Sequence, residues 1–434
     1  MGAPSGLERA VALLALAYLG RVFAPFTSGF DTGTLSVQGA AVGNVFEQVV
    51  GLGVYAGIAV LVMRTGGAGR LLLSNPALAA FLCLTLASIA WSAAPEVTMR
   101  REVGLLGSAL VGVHLAQRYP PEAALALVAD AFGIAILMSV AMIVLVPSYG
   151  IMNGDELAGV YGHKNLFGRA MTFASLALWA AIRTRRAGLW AYAALGTAVI
   201  LGCLAKSAQT IAALAICFVA VGPALSLLST RFRRVGPGLV LAVCGLGGLA
   251  WIAGEHAAEG LLGLLGRDAT LTDRTVIWDK LVEFGQEQAW LGRGYAAFWQ
   301  SGAALYFGDF WGDLDHAHNG FMDLWLDLGN VGVAAFTLLL LSAAARALGT
   351  FLARPNPATR FFPLFLFAGI LLNLVGRVFP DYNSLYWALL CYCALMPARA
   401  ALPSSTGPTP APDGARPPDR RLFAVDGGHR EVRS

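Results

Sequence analysis

The residues able to do chemistry in this chain gather in four polar stretches separated by long apolar runs. Gly159-Val160-Tyr161-Gly162-His163-Lys164-Asn165-Leu166-Phe167-Gly168-Arg169 puts His163, Lys164 and Arg169 at an expected helix start. Free backbone N–H groups and the helix dipole already favour an anion there, so the stretch can seat a pyrophosphate. The alternative is a basic helix-entry loop whose long side chains snorkel to the interface. Lys206-Ser207-Ala208-Gln209-Thr210 is a polar break between two apolar runs, which a tight turn alone would also produce. The chain holds only three lysines, Lys164, Lys206 and Lys280, and all fall in these polar stretches while arginine populates the other loops. That division marks the lysines as contact residues.

The longest hydrophilic stretch, 255–320, is expected to be a lid or a site, because loops of that length are rarely idle in a compact bundle. Arg274-Thr275-Val276-Ile277-Trp278-Asp279-Lys280-Leu281-Val282-Glu283-Phe284 places apolar residues at 277, 281 and 284 on one face, as in a helix lying on the bilayer or on the bundle. Gly292-Arg293-Gly294-Tyr295 reads as the turn that ends it. The loop closes on Asp313, Asp315, His316, His318 and Asn319, before a run in which Asp323 and Asp327 share one helical face. Carboxylates at that depth are costly unless satisfied. His316, two residues from His318, is expected to point elsewhere and to matter less. Two histidines with Asp313 or Asp315 could hold a metal, but no third soft ligand stands at helical spacing, so neither metal nor cofactor is expected. His318 could also be a purely structural helix-start residue. The fourth stretch, Trp91-Ser92-Ala93-Ala94-Pro95-Glu96-Val97-Thr98-Met99-Arg100-Arg101, fits an interfacial Trp, a Pro turn and a helix start.

The elements that must position these residues are membrane helices. The 434 residues are 57% hydrophobic and 13% charged, against about 25% charged for a soluble domain. About twelve runs are long enough to span, at 8–25, 43–63, 76–92, 102–117, 123–147, 166–182, 188–205, 208–228, 236–254, 320–345, 360–379 and 383–399. The reading is an all-α polytopic membrane protein over 1–400 with a large outer loop. The first run has no small-residue cleavage site and is read as retained. Alternate loops carry Arg64 and Arg70, Arg118, Arg183 with Arg185 and Arg186, Arg231 with Arg233 and Arg234, and Arg346 with Arg354 and Arg360, which places them in the cytoplasm. The four polar stretches then face outward. The tail 401–434, rich in Pro, Gly, Ser and Arg, is expected to be disordered and cytoplasmic. All six cysteines fall in apolar runs, so no disulfide framework follows, and the net charge of +4 does not point to nucleic acid.

Three stretches, in this order, resemble the O-antigen ligases and the related O-antigen and exopolysaccharide polymerases. They are Gly162-His163-Lys164-Asn165; Arg274 to Trp278 followed by Gly292-x-Gly294; and His318-Asn319 followed by Asp327-x-Gly329 and Gly332. The resemblance implies a GT-C-like, metal-independent glycosyltransferase of a bacterial inner membrane, working on undecaprenyl-diphosphate-linked glycans at its periplasmic face. A flippase and a chain-length regulator would be its partners. Carried over, Arg274 binds the donor diphosphate and His318 sits at the reacting hydroxyl. Lys164, His163, Lys206, Arg293 and Arg169 would hold the diphosphate, with Asn165, Asn319, Asp315, Asp323 and Asp327 in support. Ligases usually place an arginine after the serine of the short outer turn, where this chain has Ser207-Ala208. The lysine before it and the Trp91-Ser92…Pro95…Thr98…Arg100 stretch look more like the exopolysaccharide polymerase branch.

Elementary chemistry agrees with that assignment. A glycosyl diphosphate has a good leaving group, so the enzyme must neutralise departing phosphates and take a proton from the acceptor hydroxyl. A transporter also has many helices and buried charges, for which Asp130 and Arg377 are the deeper candidates, but the chain has no repeated halves. A non-catalytic membrane scaffold leaves the His and Arg content of the loop unexplained.

Overall fold

The computed structural model describes residues 3–27, 45–184, 188–230, 274–301, 314 and 316–397. The expected run 236–254, the first part of the long loop and the tail 401–434 lie outside them. The principal helices are α1 (Gly6–Leu19), α2 (Val45–Thr65), α3 (Pro76–Ala87), α4 (Pro95–Arg118), α5 (Pro121–Leu145), α6 (Lys164–Arg183), α7 (Leu189–Leu204), α8 (Ala208–Ala215), α9 (Gly222–Thr230), α10 (Arg274–Gln286), α11 (Gly320–Ala353), α12 (Pro357–Asn373) and α13 (Leu385–Leu395). A π-helical turn, Ile216–Val221, joins α8 to α9. The protein is a helical, multi-pass membrane protein, and the described residues include one small antiparallel hairpin, Ile151–Met152 against Glu156–Leu157.

Helix starts follow local chemistry. Pro76, Pro95, Pro121 and Pro357 occupy first-turn positions where their missing N–H costs nothing. Asn75, Ser384 and Asn319 accept hydrogen bonds from backbone N–H groups of the helices they precede, and Ser5 and Asn356 form reciprocal capping boxes.

Five described segments are long and apolar enough to cross a membrane: Val45–Thr65, Pro121–Leu145, Lys164–Arg183, Ala208–Leu227 and Gly320–Ala353. Four shorter apolar helices, Pro76–Trp91, Leu189–Leu204, Pro357–Asn373 and Leu385–Leu395, accompany them. The run expected at 102–117 is the body of α4, whose first turns carry Arg100, Arg101 and Glu102 and project beyond the apolar part. The run expected at 360–379 ends early, since α12 stops at Asn373 and a polar loop follows.

The core centres on α13, which lies against α4 and α11, with Trp387, Phe81 and Phe336 in ring contact at 5.7 and 5.3 Å. α6 packs on α5, α7 and α12. Asp130, a candidate deeper charge in the sequence, is instead partly exposed and paired with Arg9 at 3.1 Å.

α11 is broken at Gly329, which adopts φ 63°, ψ −163°. The break frees the N–H groups of Asn330 and Val331, which donate to the Ala289 and Trp290 carbonyls at 2.7 and 3.2 Å. In return the Arg293 and Gly294 N–H groups donate to the carbonyls of Leu326 and Asp327 at 3.1 and 2.8 Å. Polar backbone that would otherwise be orphaned is thereby satisfied, and the outer segment 288–301 is fixed to α11.

Candidate functional site

The site is built around the N-terminal end of α11. Asn319 caps the helix, its Oδ1 accepting from Phe321 N and Met322 N at 3.0 and 3.3 Å. Before it the chain turns sharply, because His318 has φ +54°. That left-handed residue overturns the extended geometry expected from sequence. The His316 and His318 rings lie side by side, centroids 4.2 Å apart, where the sequence reading has them pointing apart, although residues two apart on extended backbone already share a face.

Asp323 and Asp327 act on the loop. Asp323 Oδ1 accepts from Ala317 N at 2.9 Å and from the Trp299 indole at 2.8 Å, while Asp327 Oδ1 accepts from Phe298 N at 3.1 Å. Asp323 Oδ2 is buried without a hydrogen-bond partner. Both carboxylates line a small cavity with Tyr295, Gly320, Leu324, Arg377 and Pro380.

α10 rests on the bundle: Ile277 and Leu281 are buried with Phe298, Trp299, Leu314, Ala317 and Leu326. One turn into α10, the Trp278 indole donates to the Ala317 carbonyl at 2.8 Å, so the first turn of α10, which Arg274 begins, stands beside the histidine segment. The Arg274 side chain and Asp315 lie outside the described residues.

The two glycines flanking Arg293 are packing devices. Gly292 (φ +62°) backs onto the Asp327 backbone, and Gly294 (φ +98°) backs onto Ser92, so neither position has room for a Cβ. Arg293 pairs with Glu287 at 2.8 Å. The Trp91–Arg101 stretch holds the same segment from the other side. Trp91 donates to the Leu291 carbonyl at 3.0 Å, Thr98 to the Tyr295 carbonyl at 3.0 Å, and Arg101 to the Ala296 carbonyl at 2.5 Å.

The two lysine stretches form one patch. Ser207 Oγ donates to Asn165 Oδ1 at 3.1 Å, and Gln209 reaches the Asn165 carbonyl at 3.5 Å. His163 is the N-cap of α6, its Nδ1 accepting from Asn165 N at 3.1 Å. The hairpin tip lies over the patch, with Glu156 paired to Lys164 at 2.5 Å and Asp155 paired to Lys206. The Lys164 hydrogen bond holds the Glu156 carboxyl below its ordinary pKa.

Arg169 points inward from this patch. It is 4% exposed and donates to the Arg377 carbonyl. The neighbouring Gly376 carbonyl accepts from Gly320 N at 2.8 Å, so the loop after α12 links Arg169 to the start of α11. Asn373 shapes that loop by accepting from Val378 N and Phe379 N at 2.8 and 3.0 Å. Arg377 is 19% exposed and 3.4 Å from Asp381. Burial works against its charge, but Asp381, Asp323 and Tyr295 overcome this and raise its pKa. Sequence reading missed this loop as part of the site, although Arg377 inside an apparently apolar run was its signal.

Residues 170–337, from the body of α6 past the break in α11, match the family described as O-antigen ligase. This stretch resembles the O-antigen ligase family. The chain is also 28% identical over 280 residues to the exopolysaccharide production protein ExoQ of Rhizobium meliloti (strain 1021), over 61% of this chain and 62% of the relative's length. The matched region contains the Lys206 turn, α10, the Gly292-x-Gly294 segment and the histidine end of α11, and begins just after Arg169.

Proposed function

We propose that the chain is a glycosyltransferase that polymerises undecaprenyl-diphosphate-linked polysaccharide repeat units at the periplasmic face of a bacterial inner membrane. The observation that carries this reading is the joining of two sites by one loop. Arg169 and Gly320, from the lysine patch and the histidine end, both bond to residues 376–377.

In this reading Lys164 and Lys206 exchange their carboxylate partners for donor phosphate oxygens, with Arg274 and Arg293 adding charge. Arginine can grip two oxygens at once, whereas lysine acts as a point charge. The acceptor hydroxyl oxygen attacks the anomeric carbon and its proton passes to His318. The carbon–oxygen bond to the diphosphate breaks and the lipid diphosphate departs with the electron pair. This sequence needs no metal.

The name of the Rhizobium relative supports exopolysaccharide production as the pathway. The family description supports a second reading, transfer of the glycan to lipid A-core. The glycans of cells lacking this protein decide between them: single lipid-linked repeats for a polymerase, free long-chain polymer for a ligase. Unaltered glycans would refute both.

A further inference from the structure

At the end of the bundle opposite the histidines, two arginines converge on one indole. The Arg360 guanidinium lies 4.6 Å and that of Arg183 5.4 Å from the Trp179 ring centroid. Arg183 is the last residue of α6, Arg360 lies near the start of α12, and Arg360 also donates to the Ser226 hydroxyl of α9. Phe218 packs edge-on against the indole at 5.6 Å and fixes its plane.

This arrangement is electrostatically incomplete. Arg360 stands near the positive end of the α12 dipole, and the first turn of α12 carries no acidic residue. Arg183 adds a second like charge. Among the described residues neither arginine has a carboxylate within 4 Å, and Arg360 Nε is buried without a hydrogen-bond partner. Three other arginines at this end have partners: Arg118 has Glu8 at 2.5 Å, Arg9 has Asp130 at 3.1 Å, and Arg346 has the Met396 and Ser74 carbonyls. Glu122, the nearby acid, accepts from Asn356 at 2.9 Å. A ring face offsets part of one guanidinium's charge, but two cations and a helix start call for an anion.

We propose that Arg183, Arg360, Trp179 and Ser226 form a binding site for the phosphate of an anionic phospholipid. The site opens where three membrane helices end, so a lipid can present its phosphate to the guanidiniums while its chains lie along the exposed apolar side chains of Ile216 and Val219. Arginine suits the task because its planar fork bonds two phosphate oxygens and its weak hydration lowers the cost of leaving water. Basic pockets between membrane helices are a recurrent solution to anionic headgroup recognition.

The test is native mass spectrometry of the full-length protein in detergent, titrated with phosphatidylglycerol, phosphatidylethanolamine or inorganic phosphate. The wild type is expected to retain phosphatidylglycerol over phosphatidylethanolamine. Arg183→Gln and Arg360→Gln should each weaken retention by about 5-fold and the double variant by about 30-fold. Arg64→Gln, which removes an equal charge from the same end, should leave it unchanged. Arg183 is exposed, so its variant folds even if Arg360→Gln does not. Equal loss in Arg64→Gln, no lipid preference in the wild type, or displacement of the lipid by millimolar inorganic phosphate would each overturn the proposal.

Discussion

The Trp299 indole donates to Asp323 Oδ1 at 2.8 Å, on the same oxygen that receives Ala317 N at 2.9 Å. One carboxylate therefore clasps both flanks of the outer loop to α11. Hydrogen bonds to a charged group contribute about 1.5–3 kcal/mol each, and breaking them strands a buried donor. Asp323→Ala is expected to release the loop, seen as a shift in Trp emission and faster proteolysis between 301 and 316. Asp323→Asn keeps an acceptor and should be intermediate. An unchanged cleavage pattern in Asp323→Ala would show that α10 packing alone holds the loop.

The paired imidazoles alter the expectation for His316. His318→Ala should lower glycan transfer by about 10²–10⁴-fold, the usual worth of a positioned base. With its ring 4.2 Å from His318, His316 shares the same surroundings, so His316→Ala should also slow transfer, by less. Rates of purified variants on lipid-linked repeats decide the matter, and a near wild-type rate in His318→Ala would remove it as the base.

The Lys206–Asp155 pair is about half exposed on both sides, at 54% and 65%, so it adds little to stability. Asp155→Asn should leave melting unchanged. Lys206→Met should raise the KM for the lipid-linked donor while melting as the wild type does. If Lys206→Met alters melting but not KM, the lysine belongs to the fold and not to the donor.

Gly329→Ala should be severe. At φ 63°, ψ −163° the backbone is essentially reserved to glycine and costs another residue roughly 1–3 kcal/mol, and the new methyl would meet the Trp290 backbone, which cannot yield as a flexible side chain would. Gly53→Ala, in α2 with open space around it, should stabilise slightly or do nothing. Detergent melting curves of the two variants provide the comparison.

Much of this arrangement was legible in the amino-acid sequence. Apolar run length exposed the five long spans and the four shorter apolar helices of the described residues, and the 277, 281 and 284 spacing exposed α10 and its buried face, because both depend on local periodicity. The geometry of His318 was not legible, since a positive φ at a non-glycine residue is imposed by its surroundings. The Gly292-x-Gly294 turn was visible, but its partners Ser92 and Asp327 lie far away in sequence, so its packing role was hidden. Arg377 stood out only as a candidate deeper charge, because the loop around it is closed by tertiary contacts to Arg169 and Gly320.

The break at Gly329 also sets the altitude of the chemistry. The portion of α11 from 330 to 353 extends about 36 Å at 1.5 Å per residue, enough by itself for a hydrocarbon layer of ~30 Å. The portion from 320 to 328 adds about 14 Å and rises into the headgroup zone. In the proposed function, this length places His318 at the water-facing tip and lifts Asp323 and Asp327 out of the hydrocarbon layer. In that reading a lipid-anchored glycan would keep its tail submerged and bring its diphosphate up to these groups, without dragging a hydrated polysaccharide into the bilayer.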